Sequence, residues 1–216
     1  MKNNLMIYAH PDDEIIFGWP FLQLMEEKSE YCDLVIVCSD IPSYSNRRIK
    51  SLISSCGIFS CFNTIEILNL NSNFYKNSPR EKGFELIYNF INKKIVNYDY
   101  KNIFTHNPWG EYGHFDHIRI FNIVWELCCC NLQHEKIKFT NESIQNTPWT
   151  YKESIENKIR LYNVNEIENV KMSKKTQEKI KKSKNIYLKH KAWTWSKEIS
   201  KTVKLSGIGY EKQRTL

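Results

Sequence analysis

No apolar run in the chain approaches the roughly 18 residues of a membrane-spanning helix, so a transmembrane segment is not expected. A secretory leader is likewise not expected, because Met1-Lys2-Asn3-Asn4 leads straight into the first apolar run. The seven cysteines include no Cys-x-x-Cys pair, and three of them, Cys128 to Cys130, are consecutive. Three adjacent residues cannot all face one metal, and an odd count cannot be fully paired, so a disulfide framework is disfavoured. Reduced, mostly buried thiols in a cytoplasmic protein are the expectation. Internal repeats are lacking, as is any linker long enough to separate domains, so 216 residues read as one domain with a substantial core.

The composition present is that of a folded chain, with 41% hydrophobic and 25% charged residues. The net charge of +7 is unevenly spread: Tyr151–Leu216 carries 17 Lys/Arg against 7 Asp/Glu, and the first 150 residues carry 14 against 17. The basic excess is either a solvated helix face or a contact for an anionic substrate, an anionic surface or nucleic acid.

Strand and helix patterns alternate. Asn4 to Ala9 reads as a strand and Glu14 to Lys28 as a helix, irregular at Gly18-Trp19-Pro20. Leu34 to Cys38 is a continuous apolar strand of the kind buried on both faces of a parallel sheet. A helix over 45–56, a strand over 64–68 and an Asn- and Ser-rich loop over 69–79 follow. Arg80 to Val96 is amphipathic, with Phe84, Ile87, Tyr88, Ile91 and Ile95 on one stripe. A strand over 102–105, a polar loop over 106–113, a helix over 115–130 and a strand over 136–140 complete the pattern. The expected fold class is α/β, a Rossmann-like three-layer sandwich with a mainly parallel sheet. Beyond about Gln145 the pattern weakens to a less regular basic C-terminal segment, in which Ser173 to Lys191 reads as a helix. The division expected is a core over 1–145 and an extension over 146–216 packing on the same domain.

Two clusters carry chemistry. Ala9-His10-Pro11-Asp12-Asp13-Glu14 ends the first strand, where Pro11 stops the strand and sets the turn. Ligand sites in open α/β sheets form at such turns, outside the carboxyl ends of the strands. The acids could alternatively serve only the helix N-terminus. The second cluster, His106-Asn107-Pro108-Trp109-Gly110-Glu111-Tyr112-Gly113-His114-Phe115-Asp116-His117, follows the fourth strand at the same sheet edge. His114 and His117, three apart at a helix start, share a face. Two neutral imidazoles and a carboxylate suit a catalytic Zn²⁺ with one open position, and the surplus imidazole and carboxylates suit acid–base work.

Together, Ala9-His10-Pro11-Asp12-Asp13-Glu14 and Gly113-His114-Phe115-Asp116-His117 resemble the LmbE/PIG-L family of zinc-dependent N-deacetylases, over about the first 125 residues. The resemblance implies His10, Asp13 and His117 as metal ligands and Asp12 as general base on a metal-bound water. It implies His114 as the group that stabilises the tetrahedral intermediate or protonates the leaving amine, oriented by Asp116. The chain departs from the family's Arg-x-x-Glu helix: its segment is Arg47-Arg48-Ile49-Lys50-Ser51, so Arg47 and Arg48 are candidate substrate contacts without the paired acid. Trp109, Tyr112, Trp193 and Trp195 are stacking candidates for a sugar ring or else core residues. His190 is either part of the site or a surface residue of the basic helix.

The activity implied is removal of acetate from an N-acetylglucosamine-type sugar conjugate. A sugar–thiol conjugate amidase and a non-catalytic anionic-ligand or nucleic-acid binder working through the basic tail are the alternatives. Zn²⁺ is the expected cofactor, with Fe²⁺, Co²⁺ or Mn²⁺ able to fill a His₂–Asp site. The partner expected is a small-molecule or glycan-conjugate substrate and not nucleic acid, with homo-oligomerisation open.

Overall fold

The structure is a computed structural model and describes residues 3–39, 42–70, 80–141 and 152–208. The elements begin with β1 (Asn4–Tyr8), α1 (Asp13–Ile16), α2 (Trp19–Lys28), β2 (Cys32–Cys38), α3 (Pro42–Cys56), β3 (Phe62–Leu70) and α4 (Arg80–Asn97). They continue with β4 (Ile103–Phe104), α5 (Gly110–Gly113), α6 (Phe115–Cys130), β5 (Ile137–Thr140), α7 (Lys152–Leu161), β6 (Val164–Lys171), α8 (Lys174–Lys189) and β7 (Thr202–Ile208).

All residues of β1 and β2 are buried, and their side chains alternate between two cores. Met6 and Tyr8 join Leu34 and Ile36 on one face of the sheet, where Phe21 and Leu22 of α2, Leu52 of α3 and Tyr187 of α8 cover them. Leu5 and Ile7 join Val35 and Val37 on the other, covered by Ile87, Ile91 and Ile95 of α4 and by Ile120 and Val124 of α6. A strand covered on both sides is apolar at nearly every position, which accounts for the long hydrophobic runs; the buried exceptions, Asn4 and Asp33, are hydrogen-bonded. The result is a three-layer α/β sandwich.

The sheet has seven strands in the order β3-β2-β1-β4-β5-β7-β6. The first five are parallel, and β7 pairs antiparallel with both β5 and β6. From β1 the chain builds outward through β2 and β3, then returns to lay β4 on the other side of β1. The turns after β1 and β4 therefore diverge from neighbouring strand ends, the point where such sheets open a crevice.

Two features differ from the sequence expectation. The helix expected over Glu14–Lys28 is two helices, α1 and α2, with Pro20 in the first turn of α2. The break falls at Gly18, where the chain packs too closely for any side chain: a Cβ there would lie 2.4 Å from the Glu14 carbonyl oxygen and 2.9 Å from Met6 Cε. The C-terminal segment is also more regular than expected, since α7, β6, α8 and β7 fill it. β6 is an edge strand whose residues 165–169 are exposed and polar apart from Ile167, and such an edge carries no apolar alternation to read.

All seven cysteines are free; Cys32, Cys38, Cys56, Cys61 and Cys128 are buried. Among the described residues no helix is long and apolar enough to cross a membrane. Of the loop expected over 69–79, residues 69 and 70 end β3, and 71–79 lie outside the described residues.

Candidate active site

The turn after β1 separates two adjacent carboxylates. Asp12 adopts φ 99°, in the left-handed region, which Asp tolerates better than most residues. It occupies the N-cap position of α1, yet its side chain makes no cap hydrogen bond. Instead Oδ1 accepts from Arg48 Nη2 at 2.8 Å and Oδ2 accepts from Thr194 Oγ1 at 2.9 Å. The same Arg48 nitrogen also donates to the Pro11 carbonyl. Asp13 turns the other way, and its Oδ2 accepts from the His10 backbone N–H at 2.8 Å. Burial pushes the Asp12 carboxyl up to about 6, against the pull of Arg48. Burial acts on Asp13 too, but the His117, His10 and His106 rings hold it well below the usual carboxylate range.

The loop after β4 brings two further groups beneath this turn. Glu111 has φ 54° and ψ −61°, the rare positive-φ γ-turn geometry. It is flanked by Gly110 at φ 69°, where a Cβ would lie 2.7 Å from Ile118 Cγ1. In that position the Glu111 carboxylate meets His117 Nδ1 at 2.7 Å and His106 Nδ1 at 3.2 Å. It also accepts the Asn107 N–H at 3.0 Å. Burial works against its charge, but the two imidazoles lower it to about 2. The His106 and His117 rings are stacked, 3.7 Å between centroids.

These bonds assign the tautomers. Glu111, an anion, accepts Nδ1–H from His117, which leaves Nε2 as a lone pair; that buried atom has no hydrogen-bond partner among the described residues. It lies 3.6 Å from Asp13 Oδ2. His10 Nε2 lies 3.0 Å from Asp116 Oδ2 and donates to it, while His10 Nδ1 faces Asp13 Oδ2 at 3.4 Å. The carboxylates of Asp116 and Asp13 outweigh burial and hold a proton on His10 up to about 10. A metal cation would take the place of that proton. His106 is different: the Ala9 backbone N–H donates to its Nε2 at 3.0 Å. The neighbouring carboxylates overcome burial and favour a second proton on this ring, to about 9. Two hydrogens cannot face each other across 3.0 Å, so the Ala9 amide keeps His106 neutral and occupies the lone pair.

The donor set fits a divalent cation. In a tetrahedral zinc site, bonds of about 2.0–2.1 Å place ligand atoms about 3.3 Å apart. The 3.4 and 3.6 Å separations of His10 and His117 from Asp13 Oδ2 are close to that. Burial, with His106 beside it, lowers the His117 ring's affinity for protons, which favours the neutral form a metal ligand needs. The ligating atoms of His10, His114 and His117 also lie within 4.8 Å of one another, as do those of Asp13, His106 and His117.

His114 caps α6, and its Nδ1 accepts the Asp116 backbone N–H at 3.2 Å. Burial, with His117 and His10 beside it, lowers His114 to about 3, and the positive end of the α6 dipole acts in the same direction. The ring is neutral, with its proton on Nε2. It is the Asp116 amide that orients His114; the Asp116 carboxylate lies on His10 and is 4.0 Å from His114 Nδ1.

The other expected contacts divide. Arg48 is buried at the site, whereas Arg47, next to it, is exposed. Tyr112 packs against His114, His117 and Trp195, with ring centroids 5.3–5.5 Å apart. Trp109, in contrast, is buried in the core with its ring edge-on to Phe139. His190 ends α8, and its Nδ1 lies 2.9 Å from Ser51 Oγ of α3. Four site residues had no sequence reading of their own. His106 and Glu111 are one pair. Thr194 is the third. The fourth is Glu14, which accepts from Tyr187 OH, Ser55 Oγ and the Asp12 N–H.

The family model for GlcNAc-PI de-N-acetylases (PIG-L) matches residues 5–128. An uncharacterised protein of Acanthamoeba polyphaga mimivirus is 27% identical over 139 residues, 60% of this chain and 60% of that protein. The match thus spans about 60% of the relative's length. Among solved structures, a deacetylase of teicoplanin biosynthesis has a TM-score of 0.66 at 8% identity, over 95% of this chain and 97% of that one. The deacetylase of the A40926 pseudoaglycone has a TM-score of 0.64 at 10% identity, over 96% and 97%. At those identities the likeness is one of fold.

Proposed function

Because the chain belongs to the PIG-L family of de-N-acetylases, we propose that it is a metal-dependent N-deacetylase acting on the acetamide of an N-acetylglucosamine-type conjugate. The observation that carries this reading is the pair of imidazole nitrogens facing Asp13 Oδ2 at 3.4 and 3.6 Å, one of them buried with no hydrogen-bond partner among the described residues. His10, Asp13 and His117 would hold the metal, with Zn²⁺ favoured by the His₂–Asp set and Fe²⁺, Co²⁺ or Mn²⁺ as substitutes. When bound, the cation supplies Lewis acidity to the acyl carbonyl and lowers the pKa of the attacking water.

The chain's own residues do the rest. Asp12, held near 6 by burial, takes the proton of the attacking water and can return it to the leaving amine, the double role such a pKa suits. His114, neutral and carrying its proton on Nε2, donates a hydrogen bond to the oxyanion as the carbonyl carbon becomes tetrahedral. This supports the oxyanion role over proton delivery, since a ring held to about 3 carries no spare proton at neutral pH. Tyr112 and Trp195 wall the imidazole cluster, and the buried Trp195 Nε1–H has no hydrogen-bond partner among the described residues.

Metal content after zinc loading and desalting, measured beside His117→Ala, tests the centre. One equivalent kept by the wild type and lost in the variant is expected. Amine release from a panel of N-acetylglucosamine conjugates should then fall by about 10²–10⁴ in Asp12→Asn at unchanged metal content. A wild type that holds no metal, or an Asp12→Asn variant as active as wild type, overturns the mechanism.

A further inference from the structure

The family model ends at residue 128, yet the carboxylate at the heart of the site is held from far beyond it. Asp12 occupies an N-cap position, where an Asp side chain ordinarily bends back to the first-turn N–H groups of its own helix. Here it makes no such bond. One oxygen is drawn to Arg48 and the other to Thr194, whose Oγ1 donates at 2.9 Å and whose backbone N–H lies 3.4 Å from the same oxygen. Thr194 is 182 residues away in sequence.

The segment carrying Thr194 is anchored on both sides. Before it, Ala192 N–H bonds the Tyr187 carbonyl at 2.8 Å, and the Trp193 ring packs on Tyr187. After it, the Trp195 ring is 5.5 Å from Phe17 and 5.3 Å from Tyr112. The hydroxyl is therefore delivered to Asp12 by a seated strand of chain. Thr194 itself is exposed while Asp12 is 2% exposed, which places the hydroxyl at the mouth of the site.

We propose that Thr194 is a positioning residue: it keeps the Asp12 carboxylate turned out of the α1 cap and toward the reacting atoms. This deepens the deacetylase reading and rests on it for its catalytic consequence. The geometric half stands without it. With the hydroxyl removed, Oδ2 keeps only the longer bond from the residue-194 backbone N–H at 3.4 Å, and the first turn of α1, to which the Asp12 side chain now makes no bond, competes for it.

The test compares Thr194→Val and Thr194→Ser, both in the full chain. Crystal structures should show the carboxylate rotated off residue 194 toward the Glu14 amide in Thr194→Val, and in its wild-type position on the serine hydroxyl in Thr194→Ser. An Asp12 that stays in place in Thr194→Val overturns the proposal. On a conjugate the wild type turns over, Thr194→Val should lose about tenfold in kcat with KM within twofold, and Thr194→Ser should recover it. Unchanged kcat, or a rise in KM alone, would make Thr194 a bystander or a substrate contact and also overturn it. If the wild type hydrolyses no conjugate, the deacetylase reading fails, while the crystallographic comparison still decides the role of Thr194.

Discussion

Glu111 touches no candidate metal ligand atom, yet it sets the proton on two rings at once. A Gln at this position keeps the shape but offers one acceptor oxygen in place of two and no charge. Glu111→Gln should weaken zinc affinity by about 10–100-fold, the usual effect of losing a carboxylate behind a ligand imidazole; competition against a chelator measures it. The pattern of strand ends puts the turns carrying His10, Asp13 and His117 at one sheet edge, and the structure brings the three side chains together; their choice as ligands comes from the family resemblance and not from spacing. The meeting of Glu111 and His106 is not legible in the sequence, since it depends on the positive-φ γ-turn at Glu111, which no spacing encodes. Glu14 behaves differently again. Burial raises its carboxyl to about 8 against the pull of Tyr187 and the backbone. Below the ordinary carboxylate range both the folded and unfolded chains carry this proton; between there and about 8 only the folded chain does. The group's contribution is thus fully present at acid pH and falls as pH rises through that window, by up to about 1.4 kcal/mol per unit. Urea melts across pH 5–8 should show a flatter decline for Glu14→Gln than for the wild type.

At the scale of elements, α8 decides how the basic segment relates to the rest. Its polar face is the solvated surface that the Lys-rich sequence suggests, but Ile180 and Tyr187 lie in the core beside α2 and α3. Lys179 pairs with Glu26 of α2, and Tyr187 OH reaches Glu14 at 2.8 Å. Tyr187→Phe removes one buried hydroxyl and leaves the ring. It should cost about 1 kcal/mol, a fall of about 2–4 °C in Tm, with no change in bound metal. The helix itself is readable from its periodicity and from Ser173, which accepts the Thr176 N–H at its N-terminus. Its docking is not, because Tyr187 and Glu14 are 173 residues apart and nothing local to either announces the other. Trp109 illustrates the opposite limit. It lies in the motif-bearing loop beside residues that face the site, and only packing shows that its ring belongs with Phe139.

For the whole molecule, the antiparallel pair β6 and β7 completes a sheet that would otherwise end at β5. β7 buries Val203, Leu205 and Ile208, and its pairing with β5 covers backbone groups of an edge that would otherwise recruit other chains. A chain stopped after Lys171 should therefore be recovered as aggregate, or as a species failing to show a cooperative melt, where the longer chain melts in one transition. The parallel half is legible mainly because β1 and β2 are near-continuous apolar runs; in the antiparallel half β6 is mostly exposed and polar, and β7 is defined by pairings with elements far away in sequence.

The strand order has a consequence for synthesis. β7 is made after β6 but lies between it and β5. As the chain leaves the ribosome, β6 emerges before β7 and until then has no neighbour to pair with. At about 5–20 residues per second, the three dozen or so residues from the start of β6 to the start of β7 take several seconds. During that interval the β1–β5 half can form its layers, but Thr194 has not emerged for most of it, and the Asp12 carboxylate lacks the hydroxyl that holds it. A nascent chain would thus hold the imidazole cluster before it holds the oriented carboxylate, and activity would arrive only as the last strand threads into the gap left for it.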